Sequence, residues 1–160
     1  MILDCNEIVQ DRLWVGSYIR PENMPALRRM GMTAIVSMQS DEDISHLKIS
    51  LKKLLKACTA AEMEFRRIPT RDFDQESLSA NLPGAVAQIE NVLVPRWARV
   101  YIHCTAGINR GPTLAAAYLM KTWGMSAQEA YDYVTTRRHC NPYLAILQKY
   151  ETSLKCEQAG

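Results

Sequence analysis

The run His103-Cys104-Thr105-Ala106-Gly107-Ile108-Asn109-Arg110 places a nucleophile, a glycine-bearing loop and a guanidinium within eight consecutive residues, and no other stretch constrains the chain as tightly. Before it, Arg99-Val100-Tyr101-Ile102 has the β-branched and aromatic character of a short strand. After it, Gly111-Pro112-Thr113 opens a helical segment with proline in the first turn. The expected order is strand, loop, helix. That order puts the loop at a helix N-terminus, where unpaired N–H groups and the positive end of the helix dipole favour an anion.

The chemistry follows from the spacing. A helix N-terminus and a nearby cation favour thiolate over thiol, so Cys104 is a candidate nucleophile. Five residues separate Cys104 from Arg110, enough for a curled loop to return the guanidinium over the sulfur. The backbone amides of Thr105, Ala106, Gly107, Ile108, Asn109 and Arg110 would then turn inward and, with the Arg110 fork, hold three phosphate oxygens. Gly107 suits a loop whose backbone must approach a ligand at positive φ. The reaction implied is phosphoryl transfer to sulfur followed by hydrolysis of a cysteinyl-phosphate, with no metal and no cofactor. His103, beside the nucleophile, is expected to order the loop through hydrogen bonds.

Such a reaction needs an acid for the leaving oxygen, since an alkoxide leaves badly. Arg71-Asp72-Phe73-Asp74 lies between a strand over Glu64 to Ile68 and a helix carrying Leu82, Ala85, Val86, Ile89 and Leu93. This second strand–loop–helix unit opens, in a parallel sheet, at the same edge as the first. Asp72 and Asp74 both fit the acid on these grounds.

The remainder reads as alternating elements. Ile8-Val9 and Leu13-Trp14-Val15-Gly16 form a hairpin or bent edge strand, and Pro21 starts a helix closed by Gly31. Thr33 to Met38 is a buried strand followed by a polar loop from Gln39 to Ser45. Leu51, Leu54, Leu55 and Cys58 mark an amphipathic helix. Past Cys104, an apolar helix ends at Gly124, Ser126 and Glu129 make a capping box, and Asn141-Pro142 open a last helix. The pattern predicts one three-layer α/β domain over residues 1–160, a central mostly parallel sheet flanked by helices.

Composition narrows the partners. A net charge of +2 argues neither for nucleic acid nor for an anionic membrane, no nucleic-acid partner is expected, and the pairs Arg66-Arg67 and Arg137-Arg138 read as solvated faces. No apolar run is long enough for membrane insertion. Five cysteines without regular spacing suit a reducing, intracellular compartment, with Cys5, Cys58, Cys140 and Cys156 as fillers or surface thiols.

The sequence His103-Cys104-x-x-Gly107-x-x-Arg110 resembles the cysteine-dependent phosphatase superfamily. Over most of the chain it is similar to the glucan phosphatases, the dual-specificity group of laforin-like and plant starch-excess type. Trp14-Val15-Gly16-Ser17, Arg20-Pro21-Glu22, Arg71-Asp72-Phe73-Asp74 and Arg137-Arg138-His139-Cys140-Asn141-Pro142 carry that resemblance. It implies the dual-specificity phosphatase fold and Asp72 as the acid, with Asp74 as alternative. It also implies a phosphorylated glucan, or another phosphate monoester, as substrate. Phe73 is the foremost sugar-stacking aromatic, with Tyr143 beside it; Trp14, Tyr18 and Tyr143 also fit core or rim positions, and Trp97 and Trp123 structural ones. Gly111 stands where most dual-specificity enzymes carry a hydroxyl. The alternatives are a phosphatase of phosphoprotein or phosphoinositide and a catalytically weak phosphate-binding pseudophosphatase. Localisation follows the resemblance: plastid for a plant-type enzyme, otherwise cytoplasmic.

Overall fold

Period-two alternation along three adjacent strands decides how the layers assemble. In the computed structural model, which describes residues 2–159, the strands are β1 (Cys5–Val9), β2 (Leu13–Gly16), β3 (Ala34–Ser37), β4 (Glu64–Arg67) and β5 (Val100–His103). They form one sheet in the order β1-β2-β5-β3-β4, with β1 antiparallel to β2 and the other pairings parallel. Leu13, Val15, Ala34, Val36, Val100 and Ile102 point to one face, and Trp14, Ile35 and Tyr101 to the other. Both faces are covered, as a parallel sheet requires.

The first face packs against α4 (Gln75–Val92), α5 (Arg110–Trp123), α6 (Ala127–Arg137) and α7 (Leu144–Ala159). At its centre α5 buries every residue from Arg110 to Ala117. The second face packs against α1 (Met24–Arg29), which follows a 3₁₀ turn at Pro21–Asn23, and α3 (Leu51–Ala60). Three layers result, in the expected α/β arrangement.

The hairpin reading of the N-terminus holds, although of its two strands β1 alone lies at a sheet edge; β2 lies inside, paired with β5 from Leu13↔Val100 to Gly16↔His103. Because β2, β3, β4 and β5 run parallel, the loops after them share one sheet edge, and Tyr18 N donates across that edge to Thr105 O at 2.9 Å.

Four expectations are corrected. The Gln39 to Ser45 stretch is not a loop throughout, since α2 spans Asp41–His46; Ser40 Oγ accepts from Asp43 N and the Asp43 carboxylate accepts from Ser40 N, a capping box with an acidic first turn. The last helix starts at Leu144, so Asn141 and Pro142 precede it. Trp97 is 72% exposed, because the carbonyls of Leu93, Pro95, Arg96 and Ala98 turn inward onto the Arg12 guanidinium and leave the ring outside. Trp123 is 49% exposed, edge-on to Tyr133. Of the two arginine pairs, Arg66 and Arg67 are partly buried on β4, and Arg138 is buried outright.

Candidate active site

A peptide unit is planar and trans, so its C=O and the N–H of the next residue point in opposite directions. Six successive carbonyls from Cys104 to Asn109 are claimed by the scaffold. His103 Nδ1 lies 2.9 Å from Cys104 O. Tyr18 N donates to Thr105 O at 2.9 Å, and Arg138 donates to Ala106 O at 3.3 Å and Gly107 O at 2.7 Å. Asn141 N donates to Ile108 O at 2.8 Å, and the Thr113 hydroxyl to Asn109 O at 2.7 Å. With its carbonyls held outward, the loop turns the amides of residues 105 to 110 toward its centre. A ring of converging N–H groups at a helix N-terminus is an oxyanion cradle.

Cys104 sits at the floor of that ring, and Asp72, Ala106, Ile108, Asn109 and Arg110 line the same small concavity. The Gly111 amide donates to its sulfur at 3.5 Å. Gly107 takes φ +70°, and a Cβ at that position would lie 2.6 Å from the Gly16 carbonyl and from the Arg138 guanidinium. Glycine is therefore needed twice over, for the turn and for the close approach.

Arg110 is 2% exposed and rigidly oriented. Its Nη1 donates to Asp43 Oδ2 at 2.7 Å, Thr70 O at 2.7 Å and Met38 O at 3.4 Å. Nη1 is thus occupied, and an oxyanion would be met by the other edge, Nη2 and Nε, where Nε also lies 3.4 Å from Asp72 Oδ1. Burial works against charge on Asp43, but hydrogen bonds from Arg110 and Ser40 and the Arg110 charge outweigh it and hold its carboxyl below the usual range. Asp43 is the residue that sequence reasoning missed. Its signal was the Ser40-x-x-Asp43 capping box, which fixes the carboxylate on α2.

The two aspartates after β4 separate by structure. Asp72 Oδ1 lies 3.4 Å from Arg110 Nε, and its side chain is one-third exposed at the mouth of the concavity. Asp74 instead caps α4, accepting from Ser77 N at 2.9 Å. Between them Phe73 adopts φ +62° and stands 79% exposed. Tyr143 lies close enough that, after burial, Asp72 and Cys104 push its phenol up while Arg110 opposes them.

His103 is fully buried, and burial pushes its pKa down to about 4, with the Arg110 charge acting in the same direction and the Cys104 carbonyl against it. The ring is neutral at pH 7. A carbonyl only accepts, so Nδ1 carries the proton and donates to Cys104 O, and Nε2 has no partner among the described residues.

The arrangement combines a buried nucleophile, an amide ring, a fixed guanidinium and a carboxyl at the mouth. The chain is similar to known proteins in sequence and in fold. A family profile described as "Dual specificity phosphatase, catalytic domain" matches residues 13–153. The chain is 29% identical over 142 residues to "Phosphoglucan phosphatase DSP4, amyloplastic" of Castanea sativa, covering 88% of this chain and 38% of that protein. It is 35% identical over 122 residues to "Dual specificity protein phosphatase 8" of Mus musculus, covering 74% of this chain and 18% of that protein. It thus spans well under two-thirds of the length of either relative. Among solved structures, that of PTPMT1 in complex with PI(5)P superposes with a TM-score of 0.80 at 21% identity, over 96% of this chain and 98% of that one.

Proposed function

This chain belongs to the dual specificity phosphatase family and is a cysteine-based phosphatase, and from that premise we propose that it removes phosphate from a phosphorylated glucan. In this reading the Cys104 thiolate attacks phosphorus in line, forming the S–P bond as the P–O bond to the sugar breaks. Asp72 gives its proton to the departing oxygen. The amides of residues 105 to 110 and the Nε–Nη2 edge of Arg110 stabilise the negative charge of the transferring group. Water then hydrolyses the cysteinyl-phosphate and restores the thiolate.

The observation that carries the substrate class is Phe73. An aromatic ring 79% exposed and adjacent in sequence to Asp72 is costly in water and offers a face for the C–H side of a pyranose. An open groove lined by Gln75, Tyr131, Asn141, Pro142, Tyr143, Leu144 and Ala145 supports the same reading, with tyrosine rings and amides to meet sugar faces and hydroxyls. The name of the Castanea sativa relative agrees with it.

The test is phosphate release from phosphorylated amylopectin beside a phosphotyrosine peptide and a phosphoinositide. Preferential release from the glucan is expected. Phe73→Ala should lower glucan turnover about tenfold, the worth of one aromatic stack, with aryl phosphate hydrolysis unchanged. Release mainly from peptide or lipid would overturn the substrate class and favour the reading that the Mus musculus relative suggests.

Gly111 carries a second prediction. A Cβ there would meet Val15 Cγ1 at 3.5 Å and Cys104 Sγ at 3.7 Å, ordinary contacts, so serine fits. Its hydroxyl would stand near the sulfur and ease its departure from phosphorus. Gly111→Ser is expected to speed phosphoenzyme breakdown about tenfold, one charge-assisted hydrogen bond, seen as a smaller burst in rapid-mixing assays.

A further inference from the structure

Arg138 has no place in the reaction scheme, yet it is one of the most deeply buried charges in the protein, at 4% exposure. It stands at the C-terminal end of α6, where the backbone leaves the helix at φ −140° and ψ 138°. That break sends the two neighbouring arginines different ways. Arg137 stays on the helix, its guanidinium 3.4 Å from the centre of the Tyr133 ring. Arg138 turns inward beneath the loop that follows Cys104.

We propose that Arg138 is a positioning residue of the oxyanion cradle: it aims the amides of Gly107 and Ile108 at the transferring group by holding the carbonyls that share their peptide planes. Nη2 takes Ala106 O at 3.3 Å and Nε takes Gly107 O at 2.7 Å. The outer side of the guanidinium is held in turn, by Asp4 Oδ1 and Oδ2 at 3.2 Å each and by Asn6 Oδ1 at 2.9 Å. One planar side chain thus joins the loop to the N-terminal segment and β1. Gly107 and Gly16 make the approach possible, since a Cβ on Gly107 would strike both the guanidinium and the Gly16 carbonyl.

Two physical points favour this role over plain structural support. The first is geometric. The other carbonyls of the loop are taken singly, by backbone amides, a hydroxyl or an imidazole, whereas Arg138 takes two consecutive ones with a rigid fork. It therefore fixes the relative tilt of two amides as well as their direction. The second is energetic. Burying a cation carries a desolvation cost that a neutral donor avoids, and its carboxylate partner Asp4 is 67% exposed and screened by water. The arginine leaves positive potential beneath a loop built to receive a dianion.

The proposal rests on residues 104–110 being the phosphate cradle, and the experiment separates the two ideas. Tungstate affinity and kcat/KM are measured for the whole chain and for Arg138→Met, Arg138→Lys and the double variant Asp4→Ala/Asn6→Ala, on one alkyl and one aryl phosphate, with thermal melts. Arg138→Met should lose about 10²-fold in both tungstate affinity and kcat/KM, the effect of losing one oxyanion donor, by the same factor for both substrates. Equal loss is diagnostic, because the cradle touches only phosphoryl oxygens. Arg138→Lys, which keeps one donor and the charge, should recover part of the loss. Where Arg138→Met fails to fold, the double variant decides; it frees the outer side of the guanidinium at an exposed position and should weaken tungstate. Wild-type tungstate affinity in a folded Arg138→Met or in the double variant would overturn the proposal, as would a loss that depends on the leaving group. Failure of the unaltered chain to bind tungstate would instead overturn the cradle itself.

Discussion

Cys104→Ser abolishes turnover and keeps oxyanion binding. A serine hydroxyl is not ionised near neutrality and has no base beside it: His103 is turned away, its Nδ1 proton engaged by the Cys104 carbonyl. The loss expected is that of a removed nucleophile, roughly 10⁴- to 10⁶-fold in kcat. Binding rests on other groups, the ring of amides and Arg110, and none of their anchors involves the sulfur. Because the anion is held by groups that the substitution leaves in place, tungstate should bind about as tightly as in the unaltered protein. Steady-state assays with an aryl phosphate and calorimetric titration with tungstate check both halves. Hydrolysis at the wild-type rate in Cys104→Ser would remove Cys104 from the mechanism, and loss of tungstate binding in a folded variant would remove the cradle.

What the sequence reveals follows contact range. Cys104, Arg110 and the six amides are contiguous, so local pattern alone places the strand, the loop and the helix around them. The strands are legible as short apolar runs, but their faces are not: Leu13-Trp14-Val15 and Val100-Tyr101-Ile102 are apolar throughout, and only the assembled sheet sorts Leu13, Val15, Val100 and Ile102 to one side and Trp14 and Tyr101 to the other. The supports of the site are hidden for the opposite reason. Asp43 meets Arg110 across 67 positions and Arg138 meets Gly107 across 31. Asp43 sits on a six-residue helix too short to show periodicity, inside a polar stretch that reads as loop. Arg138 follows another arginine on an amphipathic helix, the usual mark of a solvated face, and only the backbone break after Arg137 turns it under the loop. Trp97 fails in the other direction. It reads as structural, but the carbonyls of its turn, drawn to Arg12, leave the ring outside.

The identity of the acid is the place where sequence leaves two residues open and geometry separates their expected behaviour. Asp72→Ala should slow hydrolysis of an alkyl phosphate by roughly 10²–10⁴, the range for a lost general acid. Its carboxyl lines the concavity that holds Cys104, 3.4 Å from Arg110 Nε, within reach of a phosphate ester bound there. An alkoxide needs that proton as the P–O bond breaks, whereas an activated phenolate departs unaided, so the loss should nearly vanish on a nitrophenyl phosphate. Asp74→Ala should show the complementary pattern. Asp74 holds Ser77 N at the start of α4, and losing such a cap costs about 0.5–2 kcal/mol of stability, a lower melting temperature with near-normal rates on both substrates. Rates on the two phosphates, read beside thermal melts, therefore form a two-by-two test. A leaving-group-dependent loss in Asp74→Ala with none in Asp72→Ala would exchange the two roles. A loss in Asp72→Ala that is equal on both substrates would make Asp72 a support of Arg110 and leave the leaving oxygen to be protonated from solvent.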